Sequence, residues 1–222
     1  MSRVPVMVLC EGYTEMYFVR DVLAPYLANK EVDAVGVRIG TNGHKGGKIS
    51  FDRALPNITN LLRQRGNVFV TTMFDFYGLS QGWPGLDQIP VNIGSSQKAE
   101  LLENAVLQEM ESLMRDSERR RFIPYFSMHE FEGMLFSDVE VLSCNMEASI
   151  EDLQRIAGAF VSPEDINNSP ATAPSKRLEA LDSSYDKVDA GVEVARAIGI
   201  DNIRAKCQHF NAWLEKLEAL AQ

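Results

Sequence analysis

Cysteine is scarce in this chain, and nothing in its spacing organises a site. Cys10, Cys144 and Cys207 are far apart and no CxxC pair occurs, so neither a zinc ribbon nor a disulfide framework is indicated. Cys207-Gln208-His209 could offer two metal ligands, but a packed cysteine is the simpler reading. Long apolar runs are missing too. None approaches the roughly 18 residues of a membrane span, so no membrane partner is expected. The apolar stretch after Met1 is too short for a signal peptide and lacks a clear cleavage site. A cytoplasmic location is the expected default. Basic charge is also in deficit. With 31 acidic residues against 22 basic ones the formal charge is −9, which argues against broad, charge-driven binding of nucleic acid. A nuclease is still allowed, because bound cations offset a carboxylate cluster and a partner protein could supply basic surface.

What is present is an alternation of strand and helix signals. Apolar runs at residues 4–9, 34–39 and 67–74 read as strands, and 122–126 as a short one. Helical patterns fall at 14–28, 51–65 and 99–115 between them. Residues 129–136 read as a helix or a tight turn into one. Residues 78–96, rich in glycine and carrying Trp83, read as a structured excursion. Strands separated by helices imply a mainly parallel sheet with right-handed crossovers. Beyond Asp138 strand signals vanish, and residues 150–160, 175–181, 188–198 and 203–220 read as helices. The expected fold class is α/β, with a sheet domain over 1–140 and a helical extension over 141–222 packed on it as one structural unit.

Acids gather at the ends of the proposed strands. Cys10-Glu11-Gly12-Tyr13-Thr14-Glu15 follows the first strand and opens the first helix. In open α/β sheets, ligands bind at that carboxyl edge. Glu11 and Glu15 are four apart and share a face if the helix has begun by Glu11. Asp75 ends the 67–74 strand, and an adjacent parallel strand would bring it within metal-bridging reach of Glu11. After the strand at 122–126, Glu130 could join the same cluster, with His129 or Glu132 beside it. Oxygen ligands of this kind suit Mg2+ or Mn2+.

Two basic segments could meet phosphate. His44-Lys45-Gly46-Gly47-Lys48 has the composition of a phosphate cradle but lacks the GxxxxGK[ST] spacing, so nucleotide hydrolysis is not supported. Ser175-Lys176-Arg177 opens a helix, where a phosphate can be held; ordinary capping by Ser175 is the simpler reading of the spacing.

The blocks EGYTE, MFDFYG, HEFEGMLFSD and NNSPATAPSKR span most of the chain. They resemble a Toprim-like bacterial family catalogued as a domain of unknown function (DUF4276-type), itself similar to the Toprim domains of OLD-family nucleases. That resemblance implies a Toprim-like sheet and Mg2+- or Mn2+-dependent phosphodiester chemistry. Glu11 matches the Toprim glutamate and Glu15 the second acid of OLD-type sites. Asp75 matches the first aspartate of a DxD pair, and Tyr77 stands where the second would be. Glu130 is the expected replacement ligand, or else Glu132, and Lys176 with Arg177 are expected phosphate contacts. Glu11 and Asp75 are the expected catalytic residues. The resemblance also implies a phage-defence effector working with an ABC-type or AAA-type ATPase. Three readings stay open: a metal-dependent nuclease acting on DNA or RNA, a degenerate binding or regulatory subunit, and a small-substrate phosphohydrolase. A homodimer is an open alternative.

Overall fold

The computed structural model describes residues 3–40, 48–64, 66–166 and 172–222. Strand β1 (Val4–Cys10) sends Val6, Val8 and Cys10 into one hydrophobic core and Leu9 into another. Alternate residues face opposite sides of a strand, and apolar residues on both sides are what a covered parallel strand needs. Strand β2 (Val32–Arg38) pairs parallel with one edge of β1, and β3 (Phe69–Asp75) with the other. Strands β4 (Phe122–Ile123) and β5 (Phe126–Ser127) both pair parallel with β3. The order is β2-β1-β3-β4, with β5 beside the end of β3. The single strand expected at 122–126 is therefore split. Pro124 has no amide to donate to a ladder, and the Tyr125 amide bonds to the Thr72 hydroxyl at 2.9 Å instead.

Helix α1 (Tyr13–Phe18) continues through a π-helical turn, Val19–Leu23, into α2 (Ala24–Ala28). The wide turn ends two residues before Pro25, which has no amide to donate to the helical ladder. Gly36 lets this helix lie close on β2, since a Cβ there would stand 3.1 Å from the Met16 carbonyl oxygen.

Helices α3 (Phe51–Gln64) and α4 (Ser95–Leu113) cover the face that carries Leu9, Val70, Phe74 and Phe126. Trp83 is buried there and donates from Nε1 to the Ile49 carbonyl at 2.7 Å. That bond ties the excursion over 78–96 to the core. The short α5 (Asp116–Arg119) leads into β4.

The other face takes α1 and α2 together with six helices of the C-terminal extension. These are α6 (Val139–Cys144), α7 (Ile150–Ala157), α8 (Pro174–Leu181), α9 (Asp189–Ile198), α10 (Ile200–Lys206) and α11 (Gln208–Glu218). Leu142, Leu153, Leu178, Val194, Ile203 and Trp213 lie in the same buried cluster as Val6, Val8 and Cys10 of β1. The helix expected over 203–220 is two helices broken at Cys207. Beyond the break the Glu164 carboxylate accepts the His209 and Phe210 amides, each at 2.9 Å. It thereby satisfies donors that a new helix start leaves open. The fold is a mainly parallel α/β sheet flanked by helices, with a C-terminal helical extension. No described helix is long and apolar enough to cross a membrane. Residues 41–47, which hold most of the basic glycine-rich loop, and 167–171, which open the NNSPATAPSKR block, lie outside the described residues.

Candidate functional site

Strands β1 and β3 are neighbours, and their carboxyl ends deliver Glu11 and Asp75 to one place. Register pairs Cys10 with Met73, and the Glu11 amide donates to the Met73 carbonyl at 3.3 Å. The Asp75 amide donates back to Glu11 Oε2 at 3.2 Å. Helix α1 begins at Tyr13, with Gly12 extended at its N-cap. Glu11 therefore lies before the helix, and the shared-face spacing with Glu15 does not apply. The two carboxylates still interact, because Glu15 turns inward. It is 3% exposed, and its Oε2 accepts the Gly12 amide at 2.8 Å. This is the return half of a capping box, so Glu15 rather than Glu11 caps the helix.

A third chain segment closes the site. The Asp75 carboxylate accepts the Phe131 amide at 2.9 Å through Oδ1, which fixes the start of the 3-10 turn Phe131–Ser137 against β3. That turn carries Glu132, which is fully buried. The Lys187 ammonium, just ahead of α9, stands 3.1 Å from Glu132 Oε2 and 3.7 Å from Asp75 Oδ2. Glu130 is placed differently. Its Oε2 accepts the Ser175 amide at 3.1 Å and so caps the start of α8, although its charge still acts on Lys187 and Tyr77.

Electrostatics mark this as a crowded acidic site. Burial, followed by the charge of Glu15, pushes Glu11 up to about 7 against an opposing hydrogen bond from Asp75. Burial likewise pushes Glu132 up to about 7, although Lys187 pulls the other way. Burial raises Asp75 as well, with Lys187 opposing and the Glu15 and Glu11 charges adding to the rise. Burial disfavours the charge on Lys187, but Asp75 and Glu132 outweigh it and hold the ammonium charged. Arg53, which donates to the Gly40 carbonyl, adds a weaker favourable field at Glu11. Gly78 packs so closely that a Cβ there would stand 2.2 Å from Glu11 Oε2.

The remaining expected residues lie elsewhere. Lys176 pairs with Glu179 on the surface at 2.6 Å. Arg177 donates to the Thr172 carbonyl at 2.8 Å and lies over the Phe160 ring. The cation that meets the acids is Lys187, which carries no sequence signal beyond being a lysine ahead of a helix. Tyr77 and His129 pack ring to ring with centroids 5.3 Å apart, and burial lowers His129 to about 4. Cys207 is buried with Sγ 3.4 Å from the Ser137 hydroxyl oxygen. His209 instead faces Glu103 at 3.0 Å, so the two do not form a joint site.

Among the described residues, no group of three or more histidine, cysteine or acidic side chains stands in ready-made metal-ligand geometry. The chemistry of the donor set nonetheless fits a hard cation. Every candidate donor is a carboxylate oxygen, and Glu132 Oε1 is buried without a hydrogen bond. A buried carboxylate is costly unless paired, and one lysine serves several of them.

A parallel sheet with acids at its carboxyl edge and helices on both faces defines an α/β protein whose candidate site lies at that edge. The chain belongs to the family described as "Domain of unknown function (DUF4276)", whose model matches residues 10–218. Among solved structures, it is similar to the C-terminal region of the Burkholderia pseudomallei OLD protein. That similarity covers 99% of both chains at 16% identity, with a TM-score of 0.47. No curated protein matches it in sequence.

Proposed function

We propose that this protein is a Mg2+- or Mn2+-dependent phosphodiester-processing enzyme whose site is the acidic edge of the sheet. One observation carries this reading: Glu11, Asp75 and Glu132, from three chain segments, form one acidic cluster with, among the described residues, a single nearby ammonium, Lys187. Glu11 and Asp75 would hold the ion, with Glu15, Glu130 and Glu132 around them. A bound divalent ion supplies an activated water and stabilises the charge that develops on phosphate oxygens. Glu11 is also the candidate general acid or base; burial raises it in the metal-free site, and a bound cation would oppose that rise. Lys187 is placed to offset negative charge on a phosphate once a cation satisfies the acids. The family resemblance implies a phage-defence setting with an ABC-type or AAA-type ATPase partner.

The test is cleavage of DNA, RNA and an aryl phosphate ester with Mn2+ or Mg2+. Glu11→Ala and Asp75→Ala should each lower the rate at least about 100-fold. Absence of metal-dependent cleavage on all three substrates, alone and with an ATPase partner, would contradict the proposal. An aryl ester cleaved in preference to nucleic acid would select the small-substrate reading.

A second reading is favoured by two residues. Tyr77 stands two positions after Asp75, where a second acid would stand, and Lys187 already pairs with Asp75 and Glu132. On that reading the sheet edge is a fixed structural cluster within a binding or regulatory subunit. A protein that ignores Mn2+ but forms a stable complex with an ATPase would support it.

A further inference from the structure

Beside the acidic site runs a ladder of arginine and tyrosine that the chemistry above does not use. The Arg38 guanidinium lies 4.4 Å from the Tyr13 ring centroid. Tyr13 and Tyr17 follow with centroids 5.9 Å apart, and Arg20 lies 4.5 Å over Tyr17. Tyr13 and Tyr17 are one helical turn apart on α1, so they project from the same face. Tyr13 is 47% exposed and is the one large aromatic side chain so exposed among the described residues.

The ladder starts at the proposed site. Arg38 ends β2 in register with Cys10, and the Ile39 amide donates to the Cys10 carbonyl at 2.9 Å. Glu11 is the next residue along β1, and Tyr13 follows two positions later. Arg38 is exposed and, among the described residues, makes no ion pair, although the chain has more acids than bases. Its planar cation rests on an aromatic face instead. Arg20, by contrast, is engaged by Asp21 at 2.6 Å, so it contributes a flat surface more than free charge.

We propose that Arg38, Tyr13, Tyr17 and Arg20 form a stacking platform for single-stranded nucleic acid leading to the acidic site. Unstacked bases present π faces that tyrosine rings and guanidinium planes receive without regard to sequence. A duplex hides those faces. With a net charge of −9 the protein has no broad electrostatic hold on duplex phosphates. The shallow cavity next to Tyr17 and Arg20 carries Asp21, Asp189 and Glu193, which repel phosphate and leave the Arg38 side for the backbone. This inference deepens the phosphodiester reading and rests on it for the direction of the strand; binding itself can be measured separately.

The experiment is fluorescence anisotropy of labelled oligonucleotides in EDTA, where metal-dependent cleavage does not occur. Single-stranded DNA, single-stranded RNA and duplex DNA of about a dozen nucleotides are compared. Tyr13→Ala and Arg38→Ala should each weaken single-strand binding about tenfold. Arg38→Lys, which keeps charge but loses the plane, should lose most of that. Tyr13→Phe should bind within about twofold of wild type, because the ring carries the contact. Binding should depend weakly on salt, with a log–log slope no steeper than about −1.4 for two guanidinium contacts. Leu101→Ala, at an exposed position on α4, should change nothing. Tighter binding of either DNA or RNA identifies the preferred strand and supports the platform. No single-strand binding by wild type, wild-type affinity in Tyr13→Ala, or equal affinity for duplex would overturn it. Glu11→Ala should still bind the oligonucleotide. Failure of the metal site would show in Mn2+ titrations alone, and failure of the platform in anisotropy alone.

Discussion

The backbone amide of Asp75 donates to the Glu11 carboxylate at 3.2 Å, across the gap between neighbouring parallel strands. With the bond from the Glu11 amide to the Met73 carbonyl it ties the ends of β1 and β3 together, and it orients the acid on which the proposed chemistry depends. The Asp75 carboxylate is left to hold the Phe131 amide and to meet Lys187.

Gly78 tests that orientation without replacing a charged group. An added Cβ would stand 2.2 to 2.7 Å from the three carboxyl atoms of Glu11. Gly78→Ala should push the Glu11 side chain aside, leave the fold intact by circular dichroism, and weaken Mn2+ binding at least about tenfold. Unchanged Mn2+ affinity in a folded variant would show that the Glu11 position does not matter for the ion.

On the proposed reading, Lys187 and a divalent cation would compete for the same oxygens. Replacing the lysine by methionine removes the ammonium 3.1 Å from Glu132 while keeping an unbranched side chain one atom shorter. Mn2+ should then bind about two- to fivefold tighter, the scale expected for a partly exposed ion pair. Thermal stability in EDTA should fall, because Asp75 and Glu132 lose their cation. Weaker Mn2+ binding in Lys187→Met would mean that the lysine supports the ion rather than standing in for it.

Glu132 should make stability depend on pH. Its ordinary value of 4.5 is raised to about 7 by burial, so between those values the folded chain keeps a proton that the unfolded chain has lost. Its contribution is full below about 4.5 and is lost as pH rises through about 7, on the order of 3 kcal/mol. Chemical denaturation in EDTA at pH 4.5 and pH 8 measures this. Glu132→Gln, which cannot ionise, should gain on wild type over that interval, and parallel curves for the two proteins would refute the assignment.

Glu164 offers a control that acts on the fold and not on the site. It is buried and accepts two amides at the start of α11. Glu164→Ala should lower stability by about 1–3 kcal/mol while leaving Mn2+ affinity unchanged. A change in Mn2+ binding would mean that the helical extension controls the site.

The sequence made the sheet legible because β1 and β3 are continuous apolar runs that end in acids. Glu11 and Asp75 could be paired on paper because adjacent parallel strands leave few other arrangements for their ends. The split at Pro124 and the break at Cys207 depend on hydrogen bonds from Thr72 and Glu164, which come from distant parts of the chain. The choice of Glu132 over Glu130, and the part of Lys187, were hidden for the same reason. Glu130 and Glu132 flank Phe131; the Phe131–Asp75 bond fixes the turn that carries Glu132, while the Ser175 amide holds Glu130. Lys187 arrives from the helical extension, where no local pattern separates it from Lys176.

The most direct test of the account is calorimetric titration of Mn2+ into the metal-free protein, with Glu11→Ala and Asp75→Ala in parallel. The account predicts saturable binding to wild type that both substitutions abolish while circular dichroism shows the fold retained. Heats indistinguishable from buffer for wild type, or the same affinity in all three proteins, would contradict it.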